Sequence, residues 1–380
     1  MDFSEETCTF ALSRIFLREP KMSRAVIETL GSAGELFSLD SDGLLEALGP
    51  FSKYRDAIAG TDLARAEEEL ERIRKETSCR YIWHGHPDFP RALAECEDGP
   101  VGFFFISGDE PCNVFNRESV SVVGTRDASP YGRQWCGKIV TALSRTEERP
   151  TIVSGLAYGV DITAQQSALE AGLPTIAVLG NGIGSIYPSQ HASQAERMAR
   201  TEGCAIISEY PPGTEVLAVN FLARNRIIAG LSRATVLVES KLKGGGMTTA
   251  RMAFSYGREV FAVPGRNDDL RSQGCNCLIQ SHTAEALADT SLMVESLGYH
   301  TVRKSARSAG KPAAVPVSIP ERDLDLAGSF ILKIRSGAGI TVEQLASESG
   351  IPVHRVGAVL NALEADGIID VDILGRCSIK

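Results

Sequence analysis

The chain has 380 residues, 43% of them hydrophobic and 23% charged, with a formal net charge of −9. That length suggests two or three domains and a large buried core. The acidic balance excludes a uniformly basic nucleic-acid coat but not a local basic site. No apolar run approaches the roughly 18 residues that span a membrane, and the acidic start Met1–Glu6 lacks a signal-peptide charge pattern. Nine scattered cysteines, an odd number without a disulfide framework, predict a reducing cytoplasm. Cys275-x-Cys277 is too tightly spaced for a zinc pair and has no complementary pair, so no metal is expected.

Residues 1–76 read as a helical domain. Leucines 30, 36, 39, 44, 45 and 48 fall in short amphipathic stretches broken by Gly31, Gly43, Gly49 and Gly60. The stretch Asp62–Glu76 predicts a charged helix with Glu68–Arg72 and Glu71–Lys75 pairs. A small bundle fits better than a DNA-binding helical hairpin, because "LGSAG" is a poor hairpin match.

Residues 77–300 change character. "SVSVVG" (119–124), "TIVSG" (151–155), "TIAVLG" (175–180), "CAIISE" (204–209), "ATVLVE" (234–239) and "EVFAVPG" (259–265) are near-continuous apolar runs, each followed by a helical pattern. Strands buried on both faces look like this, and their alternation with helices predicts a doubly wound, mostly parallel α/β sheet. "VGFFFISG" (101–108) predicts one more strand. Residues 301–322, rich in alanine, serine, proline and charge, read as a linker. Residues 323–380 predict a winged helix. Thr341 caps a helix, Gly350 turns, Pro352 opens a second helix with a Val356, Val359, Leu360, Leu363 stripe, and "IIDVDILGRCSI" forms a hairpin around Gly375.

In open parallel sheets ligands bind beyond the carboxyl ends of the strands. The loops there read "GTRDASPYG", "SGLAYGVD", "GNGIGSIYP", "SEYPPGT", "ESKLKGGGMTTA" and "PGRNDD". Their glycines, serines and threonines expose backbone N–H groups, several at helix N-termini, which makes an anion-binding surface. The basic charge gathers nearby: Val219–Cys277 holds nine Lys/Arg against four Asp/Glu, while Met1–Arg80 holds eleven against sixteen.

The segment "NFLARNRIIAGLS" (220–232) predicts a helix capped by Asn220, with Arg224 in its first turn on the face of Ile227, Ile228 and Leu231. Arg226 and Arg233 point the opposite way. Phe221 lies on the side of Arg224, and an exposed aromatic beside arginines suits a single strand: the ring stacks a base and the guanidinium holds a phosphate. A structural Arg–carboxylate pair with Phe221 in the core fits the residues equally well. In "KGGGMTTA" (243–250) three glycines allow close approach of a phosphate, and Thr248 or Thr249 can cap the following helix. Neither a Walker A loop nor a clean dinucleotide fingerprint is present, and no pairing of residues makes a convincing nucleophile and base.

These motifs, in this order over roughly residues 80–290, resemble the DNA-processing protein A (DprA/Smf) family of bacteria: "VVGTRDASPYG", "IVSGLAYGVDITAQQSALEAGLPTIAVLGNGIGSIYP", "IISEYPPGT", "FLARNRIIAGLSRATVLVE", "TTARMAFSYGREVFAVPG" and "SQGCNCLI". The resemblance implies a Rossmann-like domain flanked by an N-terminal SAM-like helical domain and a C-terminal winged helix. It implies a cytoplasmic, usually dimeric single-stranded DNA binder that loads a RecA-type recombinase in natural transformation or DNA processing, with no cofactor and no catalysis. Carried over by motif, the pocket would use Gly124, Arg126, Ser154, Gly155, Gly159, Phe221, Arg224, Asn225, Arg226, Gly245, Gly246 and Thr249. Four places depart from the family pattern. Tyr158 stands where an arginine is usual, which removes one possible phosphate contact but offers a ring that could stack instead, and Gln165 replaces a histidine. Gly244–Gly246 replace Ser-Gly-Ser, and His282-Thr283 replace Gly-Ala.

Two other functions compete. Rossmann-like phosphoribosyl hydrolases carry P-G-G-x-G-T-x-x-E; aligned from Lys243, this chain has Met247 for a glycine and Arg251 for the glutamate, so the obvious general base is missing. A winged-helix DNA-binding regulator is the other. Asp323–Lys380 holds five Lys/Arg against eight Asp/Glu, and its second helix offers only His354 and Arg355, a weak surface for duplex phosphates.

Overall fold

The computed structural model describes residues 3–302, 323–336, 340–365, 368–372 and 375–379. The chain forms two compact units, Met1–Val302 and Arg303–Lys380. The expected linker, from Arg303 onward, lies outside the described residues. Thr301 and Val302 still belong to the first unit, where the Val302 N–H donates to Arg145 O at 2.8 Å.

Six helices open the first unit: Glu5–Ile15, Pro20–Leu30, Ala33–Ser38, Ser41–Leu48, Arg55–Ala59 and Leu63–Thr77. Ser4, Ser32, Asp40 and Asp62 cap four of them through their side chains, each satisfying an amide that the helix cannot. The Glu71–Lys75 pair forms at 3.5 Å, but Arg72 turns to Glu76 at 4.0 Å rather than to Glu68. These helices share a core with the sheet: Phe10, Leu70 and Ile73 pack with Tyr81, Phe104 and Ile206.

The sheet has nine strands in the order β1-β2-β6-β5-β4-β3-β7-β8-β9. They are β1 (Arg80–Trp83), β2 (Gly102–Ile106), β3 (Ser119–Val123), β4 (Thr151–Ser154), β5 (Thr175–Val178), β6 (Ala205–Ser208), β7 (Ala234–Leu237), β8 (Glu259–Ala262) and β9 (Glu285–Ala286). Strands β3 to β9 pair in parallel, while β1 and β2 join antiparallel at the β6 edge. All six apolar runs and "VGFFFISG" became strands. β1 and β9 were not expected; "RYIW" and "EA" carry too little pattern to stand out. Strands β3 to β7 are buried at every position, because helices cover both faces. Ile227, Ile228, Ala250 and Leu278 pack on one face, and Trp135, Ile139, Val160 and Leu297 on the other.

The second unit contains helices Leu324–Ser336, Val342–Ser349 and Val353–Ala365 and strands β10 (Ile340–Thr341), β11 (Ile369–Val371) and β12 (Arg376–Ile379). The strands pair antiparallel in the order β10-β12-β11. Thr341 forms the expected cap, reinforced by a reciprocal bond from its own N–H to Gln344 at 2.9 Å. Gly350 ends that helix at φ +67°, and Val356, Val359, Leu360 and Leu363 are buried as the stripe requires. Arg355, one of the two cations of the Val353–Ala365 helix, donates to Asp323 at 2.7 Å.

Candidate nucleic-acid interface

From β3 the chain winds through β4 and β5 to β6. It then crosses back along the helix Ala218–Leu231 to β7 and β8 on the other side. Strand order therefore reverses between β3 and β7, and the loops that follow them diverge to leave a crevice. A cleft of about 690 Å³ opens there, lined by Gly124–Asp127, Ser240–Gly246 except Leu242, and the cleft side of the crossing helix.

The crossing helix begins at Ala218, three residues earlier than a cap at Asn220 would start it, and Leu217 occupies the cap position. Asn220 instead extends its amide toward Glu215 O at 3.4 Å. The half-buried Phe221 ring sits where a Cβ on Gly180 would come within 2.7 Å of it. The guanidinium carbons of Arg126 and Arg224 lie 5.7 and 5.9 Å from its centroid, and the Tyr187 ring lies at 5.6 Å. The aromatic–arginine combination expected in one helix is thus completed from another loop, by the exposed Arg126.

Arg224 is a floor residue. Only 3% exposed, it donates to Gly155 O at 2.9 Å and to Val178 O. Burial lowers its pKa to about 10 against the pull of Asp161, and burial raises Asp161 against the pull of Arg224. Gly155 lies between them. Its N–H donates to Asp161 at 3.1 Å, and a Cβ there would sit 2.5 Å from Arg224 Nη1 and 2.6 Å from the Asp161 carboxylate.

Arg226, expected on the DNA surface, is 4% exposed and donates to both Glu209 oxygens, at 2.5 and 2.7 Å. Burial disfavours its charge, and Glu209 more than reverses that. Two residues along a helix is a rotation of about 200°, so Arg226 faces away from the cleft and makes the structural carboxylate pair.

Most of the expected glycines bring loops together. A Cβ on Gly124 would lie 2.7 Å from Val160, on Gly246 2.7 Å from Leu237, and on Gly159, at φ +74°, 2.3 Å from Thr125 O. Gly245 alone of the site glycines is exposed and open, with nothing within 4 Å of a Cβ. It opens the helix Gly245–Ser255, whose cap is Gly244 rather than Thr248 or Thr249. The first amides of that helix have no acceptor within it and carry the positive end of its dipole at the cleft wall. Thr249 is buried and its hydroxyl turns back to Gly245 O at 3.4 Å, while Asn225 reaches the same carbonyl at 3.5 Å. Ser154 is fully buried, donating to Val122 O at 2.7 Å. It belongs to the sheet, not to the cleft surface.

The acids around the cleft are engaged. Asp161 holds Gly155. Glu239 accepts from Ser129 N–H at 2.9 Å and from its hydroxyl at 2.5 Å, and Asp127 pairs with Arg271 at 2.6 Å. Arg126, Lys241 and Lys243 stand exposed at the mouth, so an incoming ligand meets positive charge. The two lysines and Tyr187 were missed; "KLK" directly before the glycines was the available signal. Gln165 is buried and donates to Ile176 O at 3.1 Å, filling a structural place. Among the described residues no cluster of three or more His, Cys, Asp or Glu could hold a metal, and no helix is long and apolar enough to cross a membrane.

The family described as DNA recombination-mediator protein A matches residues 80–298. The chain is 34% identical to Protein Smf of Escherichia coli K12, over 82% of this chain and 83% of that one. It is 38% identical to the DNA processing protein DprA of Streptococcus pneumoniae, over 50% and 65% respectively. The solved structure of the S. pneumoniae protein superposes with a TM-score of 0.66 at 28% identity, covering 78% of this chain and 98% of that one. DNA processing protein A from Helicobacter pylori, solved for its single-stranded DNA binding mode, gives a TM-score of 0.52 at 28% identity, over 59% and 99%.

Proposed function

The chain belongs to the DNA recombination-mediator protein A family, and from that premise we propose that its cleft holds a single DNA strand and that the protein loads a RecA-type recombinase onto it. One observation carries the reading: the Phe221 ring lies against two guanidinium groups, beside the open N-terminus of Gly245–Ser255. A base stacks on the ring, while Arg126, Lys241, Lys243 and the amides of Gly245 and Gly246 take phosphates. Gly124, Gly155, Gly159, Arg224, Asn225 and Thr249 shape the floor. The site binds and does not turn over, since its carboxylates already serve backbone and serine partners. Residues 1–76 act as a SAM-like helical domain, 77–300 as the Rossmann-like DNA-binding domain, and 323–380 as a winged helix. The protein works in the cytoplasm as a homodimer, in natural transformation or another DNA-processing route.

The test is fluorescence anisotropy with oligo-dT and a matched duplex across a salt series. Preferential single-strand binding is expected, with log K falling at about −0.7 per phosphate contacted and Arg126→Ala shallowing the slope by about one such contact. Recombinase-loading assays on coated single strands then follow. No strand binding at low salt would remove the reading.

A further inference from the structure

Two exposed tyrosines border the cleft, Tyr187 on its wall and Tyr158 just outside it. Tyr187, 43% exposed, neighbours Phe221. Tyr158, also 43% exposed, donates its hydroxyl to Gln190 Oε1 at 2.8 Å and meets the His191 ring edge-on at 4.9 Å. One short segment, residues 187–191, therefore carries the first ring and holds the second. It is pinned from beneath: Pro188 and His191 are buried, and His191 Nδ1 lies 2.7 Å from Leu156 O. Tyr187 and Gln190 are left facing out. Four residues span at most about 14 Å, so the two rings share one small stretch of surface.

A single exposed tyrosine needs no explanation. Here the rings continue from Phe221, whose ring has the Arg126 guanidinium 5.7 Å away, and the Arg126 backbone passes next to Tyr158: a Cβ on Gly159 would lie 2.7 Å from Arg126 O. The bond to Gln190 also fixes the Tyr158 ring in advance, so little side-chain freedom remains to be lost on binding. We infer that Phe221, Tyr187 and Tyr158 form a stacking track that receives the bases of a DNA strand as it leaves the cleft, with Gln190 as a positioning residue. The track rests on the single-strand reading above. Every base has a π-face, so it accepts any sequence, whereas paired bases cannot splay onto it.

The test is anisotropy with oligo-dT of increasing length. Tyr158→Ala should weaken the longer strands roughly tenfold and leave the shortest strand that still binds unchanged, while Tyr187→Ala, at the cleft wall, should weaken strands of every length. Tyr187→Phe should bind as the unaltered protein does. Gln190→Leu and Tyr158→Phe should give the same partial loss, and abasic residues at the outer end of a long strand should reproduce the Tyr158→Ala effect. A Tyr158→Ala variant that binds every length normally, or loses affinity equally at every length, would overturn the track while leaving the cleft intact. An unaltered protein that binds no strand would overturn both.

Discussion

The two ends of the central sheet carry cavities of nearly equal size with different chemistry. The amino edge has one of about 680 Å³, lined by Arg91, Arg117, Arg233 and Arg258, more arginines than the carboxyl-edge cleft shows. Yet three of the four are tied, Arg233 to Glu118 at 2.8 Å, Arg258 to Ala92 O at 2.8 Å and Glu95 at 3.2 Å, and Arg91 to Glu95 at 3.7 Å. At the carboxyl edge the acids are occupied by backbone, serine or Arg271, and Arg126, Lys241 and Lys243 remain exposed. The two edges are told apart by which charges are already satisfied, not by how many arginines line them. Within one helix, Arg224 and Arg226 stand two residues apart and are both buried, one flooring the cleft and the other paired with Glu209 away from it.

The strongest way to break the comparison is Arg226→Ala. Leaving Glu209 buried and unpaired should cost about 3–5 kcal/mol of stability, read as a lowered denaturation midpoint, with affinity per folded molecule for oligo-dT unchanged. A loss of affinity in the folded fraction would return Arg226 to the DNA surface. Next, Phe221→Ala should weaken oligo-dT binding by about 1–3 kcal/mol and Phe221→Tyr much less; equal losses would mean that the ring only packs.

A smaller effect belongs to the amino edge. His84 packs edge-on against Phe89, which lines that cavity, and burial, with Arg24 adding, pushes its pKa down to about 4. The unfolded histidine titrates near 6.5. Between these values the unfolded chain binds a proton that the folded chain refuses, so stability should fall as pH drops from about 6.5 to about 4 and lose nothing further from this group below that. The loss should be on the order of 2 kcal/mol, and His84→Gln should flatten that part of the pH–stability curve. An unchanged curve would mean that His84 takes up its proton at the same pH folded as unfolded. The least effect is expected from Arg233→Ala: its half-exposed pair with Glu118 should contribute under about 1 kcal/mol. Oligo-dT affinity should stay the same; a drop would show that strands also use the amino edge.

The parallel strands were legible because burial on both faces writes itself as uninterrupted valine and isoleucine. The position of the cleft followed from loop chemistry at the strand ends. Individual contacts were harder. Arg224 and Arg226 differ only by helical phase, and the start of that helix was misplaced by three residues because Asn220 resembles a cap while Leu217 does not. Ser154 and Thr249 read as polar loop residues, whereas both hydroxyls serve backbone carbonyls in the interior. The glycines were found, but not that Gly124, Gly155 and Gly159 are also required by neighbouring atoms of the protein, a constraint that no spacing rule reveals. Lys241 and Lys243 were passed over because flexible lysines beside glycines look like ordinary surface.

Gly155 is held at both ends of its peptide backbone, its N–H by Asp161 and its carbonyl by Arg224. The loop above the fourth strand is thereby frozen before anything arrives. If a strand binds as proposed, the entropy of ordering falls almost wholly on the nucleic acid. On that proposal encounter is a matter of diffusion and charge at the mouth, set by Arg126 and the two lysines, while residence time is set by the aromatic ring and the fixed amides. Speed of capture and duration of hold would then belong to different residues and could be tuned apart.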